Sequence, residues 1–469
     1  MMRSGFFVPT ARVIAVLALL SAPARSAFAD DPAPPPKAPA SPALVTPGSD
    51  PGGEVPKPGV TSPKPGVSVK QLLRDASALR TLVTQKSPQV AAAGARIVQA
   101  EADVGTAGLL PNPQVDTTLG GITVSTPNPA KLTFKDTALF DIGVSEQIEI
   151  GKRGPRVEAA TARLESAKAQ AQSTKQDVVG DAREALGRVA YYAARGALLD
   201  AGVASAKEGA KAEATKVEKG GTSGVDYDRL SLEVLALEAE AARGKTELSG
   251  ALATCSALLR QGCDESGAGE EDLDASATVP AAPSSGDKVE DRPDIVAIRK
   301  EADASRAEVD LAHAKAIPDP TVRVGYTRDQ LTYAGNQPDV MSVQLIVPLP
   351  IFDHGQHDAA KAQARANELE STAQATILGA TSDVTALRAK VQYLDKALAT
   401  MKKDAIPKAE SVVKATEKAF AAGEVRLTDL LLARRAYLGL RLSEIDLSYE
   451  HFTARSALRR ALGLDSTDR

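Results

Sequence analysis

From Pro155 to Lys219, Leu164, Ala171, Val178, Ala185, Tyr192, Leu199 and Ala206 recur every seven residues, and Ala182, Val189, Gly196, Val203, Ala210 and Val217 form a second seam. Heptads sustained this long mean coiled-coil packing along the whole helix. At 1.5 Å per residue the segment spans roughly 100 Å, so it is a rod that no compact domain contains. The pattern occurs twice. Ile377, Val384, Val391, Leu398, Ala405, Val412 and Ala419 keep the same step, beside Ala359, Ala366, Ala373, Ala380, Leu387, Leu394 and Met401. Pro407 lies inside this second rod, removes a backbone donor and is expected to bend it. Gly221 and Gly423 are expected to end the rods in left-handed conformations, with antiparallel return helices from Asp226 and Thr428.

The rods belong to a tandem duplication. Leu110-Pro111-Asn112-Pro113 aligns with Ile317-Pro318-Asp319-Pro320, each closing a helical pattern that begins near Pro88 and Pro293. Ile150 to Ala159 aligns with Ile351 to Ala360, Tyr192 with Tyr393, and Gly220-Gly221 with Ala422-Gly423. Each unit reads helix, strand, strand, very long helix, tight turn, helix. The expected division is repeat 1 at 68–261, a linker rich in Gly, Ser, Pro and acids at 262–291, repeat 2 at 292–464, and a tail at 465–469.

Composition narrows the function. With 8 Phe, 8 Tyr and no Trp, the core must be built from Ala, Leu and Val, which suits close helix packing. The 56 basic and 60 acidic residues give a net charge of -4, so no broad positive field invites nucleic acid. Two Cys and four His are too few for a multi-site metalloprotein. No Walker loop, Gly-x-Ser-x-Gly elbow or His-Glu-x-x-His helix occurs, so no enzyme and no cofactor are expected.

The strand segments alternate. Phe140, Ile142 and Val144 interleave with Asp141, Gly143 and Ser145; Val322, Val324 and Tyr326 with Arg323, Gly325 and Thr327. Met341, Val343, Leu345 and Val347 interleave with Ser342 and Gln344, whereas Ile346 breaks the polar side, and Val115 to Val124 alternates more weakly. Such faces suit a transmembrane barrel wall with a wet lumen, or a sheet packed on the helices. Four strands cannot close a barrel, and open edges are not tolerated in lipid, so the barrel reading requires several chains.

At the N-terminus, Arg3 and Arg12 precede the apolar run Val13 to Ala22 and the small-residue site Ala27-Phe28-Ala29, the pattern of a secretory signal cleaved after residue 29. Residues 30–67 follow as a tether, with twelve prolines between Pro32 and Pro65 and Lys-Pro-Gly-Val at Lys57 and again at Lys64. This composition reads as an extended, solvated spacer.

Signal, duplication, strands and rods together resemble the TolC family of outer-membrane efflux factors. Ser87-Pro88-Gln89-Val90, Gly108 to Pro113, Val347 to Asp353, Ile406 to Glu410 and Ala422 to Leu431 carry the likeness, which covers about Val69 to Leu464. Gln147-Ile148-Glu149-Ile150-Gly151-Lys152-Arg153-Gly154 is most similar to the branch serving cobalt-zinc-cadmium and copper efflux. The long Pro-rich N-terminus departs from the family pattern. The resemblance implies a mainly α protomer of tandem repeats with long coiled-coil helices and four strands. Three such chains would form a homotrimer, with a 12-stranded β-barrel in outer-membrane lipid and an α-helical periplasmic tunnel that docks a periplasmic adaptor (membrane-fusion) protein and an inner-membrane pump. The expected function is a passive exit duct in the outer membrane, with heavy-metal cations as the candidate cargo. A periplasmic adaptor or coiled-coil scaffold, and the duct of a drug efflux or type I protein secretion system, are the alternatives.

In this arrangement the turns between rod and return helix close the tunnel, and their charges are gate candidates: Asp226, Asp228 and Arg229 in repeat 1, Glu424, Arg426 and Asp429 in repeat 2. Asp429 matches a position where the family commonly carries an acidic ring, whereas Leu432 stands where a second acid is often found. Solvated turn charge favoured by the helix dipole is the competing account. His354 and His357 have a helical i, i+3 spacing but no third ligand nearby, so no metal site is expected. Cys255 and Cys263, eight residues apart in an exported chain, are candidates for a local disulfide.

Overall fold

The computed structural model of the chain describes residues 66–122, 124–126, 130–219, 223–276, 289–331 and 337–464. The expected signal peptide, the tether up to residue 65, Gly221 and the tail 465–469 lie outside the described residues. In chain order the elements are β1 (Val67–Ser68), α1 (Val69–Arg74), α2 (Ala76–Lys86), α3 (Pro88–Ala107), β2 (Gln114–Gly120), α4 (Phe134–Thr137), β3 (Leu139–Gln147), α5 (Arg153–Glu218) and α6 (Gly224–Leu259). There follow β4 (Cys263–Asp264), α7 (Glu270–Ser276), a short 3₁₀ turn, α8 (Pro293–Ala314), β5 (Thr321–Asp329), β6 (Asp339–Ile346), α9 (Gln356–Thr400), a π-helical turn (Met401–Ala405), α10 (Ile406–Ala421) and α11 (Leu427–Ala461).

The helices start where backbone donors find partners. Ser87 caps α3, its hydroxyl accepting from the Val90 N–H at 3.4 Å, with Pro88 in the first turn, where a missing N–H costs nothing. Rod α5 runs 66 residues and buries Ala171, Val178, Ala185, Leu199 and Ala206 of its heptad seam, while Leu164 and Tyr192 are half-buried. Its middle carries the main core, where Val179, Leu186, Val189 and Ala190 meet Val69, Leu72, Leu79 and Val83 of α1 and α2, Leu259, Leu273 and Phe452. Gly187 lets the Phe452 ring lie against the rod, because a Cβ there would run into the ring.

The second rod departs from its heptads. Seam residues Ala366, Ala373, Ala380, Val384, Leu394 and Leu398 are buried, but beyond the π-helical turn Val412 is 56% exposed. A π-turn inserts one extra residue, which rotates everything beyond it by about 100°. The seam therefore shifts by one residue just beyond the turn, to buried Ile406 and half-buried Val413 in place of half-buried Ala405 and exposed Val412, while Ala419 and Phe420 are both half-buried. Pro407, in the first turn of α10, lacks the donor an unbroken helix would use, and the rod answers with this turn. Gly423 takes φ +79 and ends α10, its N–H donating to the Phe420 carbonyl at 3.0 Å.

The stretch between the repeats is partly built into the fold. β4 pairs in parallel with β1, and the Cys255–Cys263 disulfide (Cα–Cα 6.2 Å) ties the end of α6 to β4. Helix α7 is clasped by Arg74, whose Nε lies 2.6 Å from buried Asp272. The main sheet is antiparallel throughout, in the order β2-β3-β5-β6, so both repeats give it two neighbouring strands. The weak segment from Val115 forms a strand only to Gly120. Among the described residues no helix is long and apolar enough to cross a membrane.

Candidate functional site

The register of the main sheet sorts its side chains by polarity. Val115, Val144, Val324 and Val343 form one row across all four strands, and Thr117, Ile142, Tyr326 and Met341 form the next. This apolar face looks outward: Val115, Ile142, Val144, Met341, Val343 and Leu345 are all exposed. Among the described residues no long helix packs extensively on either face. A soluble sheet buries its apolar face, whereas this one presents it.

The opposite face is polar and bound to itself. Arg323 of β5 donates from Nε to both carboxylate oxygens of Asp116 on β2, at 3.1 and 3.0 Å, and from Nη2 to Asp116 Oδ2 at 2.5 Å. The same Nη2 donates to Asp141 of β3, whose other oxygen accepts from the Thr327 hydroxyl at 2.7 Å. A Cβ at Gly143 or Gly325 would collide with the guanidinium, so these glycines leave the space in which it lies against the strands. The sequence marks Arg323 only as one residue on an alternating strand. Its role needs the register, which places Asp116 and Asp141 within its reach.

Where strands become rods, Asp319 is the centre of a second cluster. Buried between the repeats, it accepts from the Ile150 N–H at 3.0 Å and the Gln147 amide at 3.4 Å, with Lys152 Nζ at 2.5 Å. Burial pushes the Asp319 carboxyl up, but Lys152 and the Ile150 N–H outweigh it and hold the group below its usual range. Arg156 pairs with Glu149 at 2.5 and 3.0 Å and donates to the carbonyls of Ala107 and Leu109. The Gln147 to Gly154 motif is thus a clasp, and its acidic partner comes from the other repeat.

The gate candidates sit at the other ends of the rods. Asp226 and Asp429 occupy the same third position of α6 and α11. Asp226 lies 3.4 Å from Arg229, and the exposed Asp429 accepts from the Arg426 backbone N–H at 3.2 Å. Asp228, Glu424 and Arg426 are exposed, as is Leu432. Asp429 therefore caps its own helix within the single chain. Behind these tips the two hairpins meet at a cavity of about 290 Å³ lined by Leu198, Leu230, Leu237, Val413 and Leu438. Arg435 bridges to Glu233 and Arg434 to Glu417 beside it. His354 and His357 are both exposed, and among the described residues no three His, Cys, Asp or Glu side chains gather as a metal site would require.

Comparison with known proteins agrees with this architecture. The family described as outer membrane efflux protein matches residues 79–259 and 287–464. The cobalt-zinc-cadmium resistance protein CzcC of Cupriavidus metallidurans is 27% identical over 358 residues, covering 75% of this chain and 85% of its own. The nickel-cobalt-cadmium resistance protein NccC of Alcaligenes xylosoxydans is 26% identical over 325 residues, covering 67% and 70%. The crystal structure of CusC superimposes with a TM-score of 0.71 at 15% identity, covering 83% of this chain and 92% of that one.

Proposed function

The chain belongs to the outer membrane efflux protein family and is an outer-membrane efflux duct, and from this premise we propose that three copies assemble into a conduit for divalent metal cations. The observation that carries the assembly is the sheet of reversed polarity: one face of exposed apolar side chains, one polar face bound to itself, and, among the described residues, no partner strand at the edges β2 and β6. Unpaired edges in lipid cost several kcal/mol per orphaned backbone group, so each edge needs a neighbouring chain. Three chains give twelve strands, and rods of roughly 100 Å extend the wall as a periplasmic tunnel. A periplasmic adaptor and an inner-membrane pump then supply cargo and energy. At the tunnel's end, the tips that carry Asp429, Arg426 and Glu424 in repeat 2 and Asp226 and Asp228 in repeat 1 form the gate. Metal cations as cargo follow from the likeness to CzcC and NccC.

Two experiments test this reading. The purified protein should run as a heat-modifiable oligomer and conduct ions in planar bilayers; a water-soluble monomer without conductance refutes the duct. Loss of the gene should lower tolerance to cobalt, zinc or cadmium. Unchanged metal tolerance with raised drug sensitivity would reassign the cargo and leave the duct standing.

A further inference from the structure

The Arg323 cluster has a geometry that simple stapling of strands does not require. Oxygens of two carboxylates on different strands, Asp116 and Asp141, converge on one nitrogen, Arg323 Nη2. Converging carboxylate oxygens are ligands that divalent cations take, borderline ions such as zinc as well as hard ones. Here the place is held by a guanidinium, which stays charged at any physiological pH and matches carboxylates through its fork of donors. Arg323 and Asp141 are each only 15% exposed, and Gly143 and Gly325 let the guanidinium lie flat along the strands. Two carboxylates against one guanidinium leave the cluster with a net charge of -1 per chain.

We propose that Arg323 is the duct's resident counter-cation: it holds the point where Asp116 and Asp141 converge, so that a divalent cation in transit does not lodge on the barrel wall. The inference rests on the reading of the polar face as a lumen. Without Arg323 the two acids would face the passing ions as a bare pair. With it, the wall keeps a mild attraction for cations and releases them.

The test uses the full-length trimer in planar bilayers at low ionic strength, with cobalt chloride as the probe. Arg323→Gln should lower the Co²⁺ concentration that half-blocks the current by about tenfold, since a bare carboxylate pair coordinates the ion where screening is weak. Adding Asp116→Asn and Asp141→Asn to that variant should restore the wild-type response. Where Arg323→Gln does not assemble, the Asp116→Asn/Asp141→Asn chain carries the test, because its freed guanidinium should move the reversal potential toward anions. Unchanged Co²⁺ block in Arg323→Gln, or an unchanged reversal potential in the double Asn chain, overturns the proposal. A wild-type protein without conductance overturns the duct reading instead.

Discussion

The two repeats follow one plan and differ most where each strand hands over to its rod. In repeat 1 the junction is tied to its surroundings, through Asp319 and the Pro320 carbonyl of the other repeat and through Arg156 to the end of α3. In repeat 2 the junction stays within its own repeat: the Ile351 N–H donates to the Leu349 carbonyl, Gly355 to Asp353, the Gln356 amide to the Phe352 carbonyl, and Asp358 pairs with Lys315 at the end of α8. Leu349, Ile351 and Phe352 stand out from it, Phe352 90% exposed. Duplication supplied the same elements twice, and the copies then divided the work: one junction locks the repeats together, while the other leaves an apolar loop uncovered. The rods divide in the same way, since only the second carries a π-turn.

The sharpest break of the comparison lies in the rods. Ile406→Ala should cost about 3 kcal/mol, as expected for truncating a buried Ile, while Val412→Ala should be close to neutral. Denaturant unfolding of the two variants measures this. Equal costs, or a larger cost at Val412, would mean that the heptad phase runs through the proline unshifted.

Next in size is the clasp. Asp319→Ala should cost about 2 to 3 kcal/mol, because it strands Lys152 in a half-buried place and leaves the Ile150 N–H without its acceptor. Asp319→Asn keeps an acceptor and should lose less. The pH dependence has a definite sign: the folded carboxyl lies below its ordinary value, so its contribution is complete at neutral pH. It fades only as the pH falls below the usual carboxylate range and through the depressed folded value. Melting temperatures of wild type and Asp319→Asn should therefore converge on acidification. A gap that persists at low pH would show that the clasp does not act through charge.

The junction glycines give a third contrast. Gly355 takes φ +85 and a Cβ there would overlap the Ala312 carbonyl, whereas Gly151 takes φ +73 with only Ile317 near. Gly355→Ala should cost about 2 kcal/mol or more and Gly151→Ala about 1 kcal/mol, the ordinary penalty of a left-handed residue with a side chain. Thermal unfolding of the pair reads the difference. Equal losses would mean that the second junction yields to relieve the overlap.

Much of this was legible in the sequence because it is periodic. Seven-residue and two-residue spacings are local, so rods and strands declare themselves, as do the prolines that open α3 and α8. The clasp is not local: Asp319 and Lys152 are 167 positions apart, and nothing near either residue announces the other. Arg323 is hidden for the same reason, since its partners depend on strand register across repeats. Helix α7 and the pair β1 with β4 are too short to carry a period and exist by their contacts. The phase shift at Pro407 was only half legible, because proline announces a disturbance without saying that one residue is inserted.

The smallest expected effect concerns the uncovered loop. Phe352 has almost no surface to lose, so Phe352→Ser should change the unfolding free energy of the chain by no more than about 0.5 kcal/mol. Ile150, at the matching junction of repeat 1, is 41% exposed and its backbone belongs to the clasp, so Ile150→Ser should cost more. An apolar ring held in water gains nothing from folding. It lies beyond the end of β6, whose apolar side chains are also exposed, and in the proposed trimer such a position would suit the membrane boundary, where aromatic side chains settle. Phe352→Ser should accordingly leave folding alone while lowering the fraction of trimer retained in lipid vesicles on flotation. If unfolding shifts by more than Ile150→Ser does, the second junction is packed against something as firmly as the first, and the contrast between the repeats fails at this point.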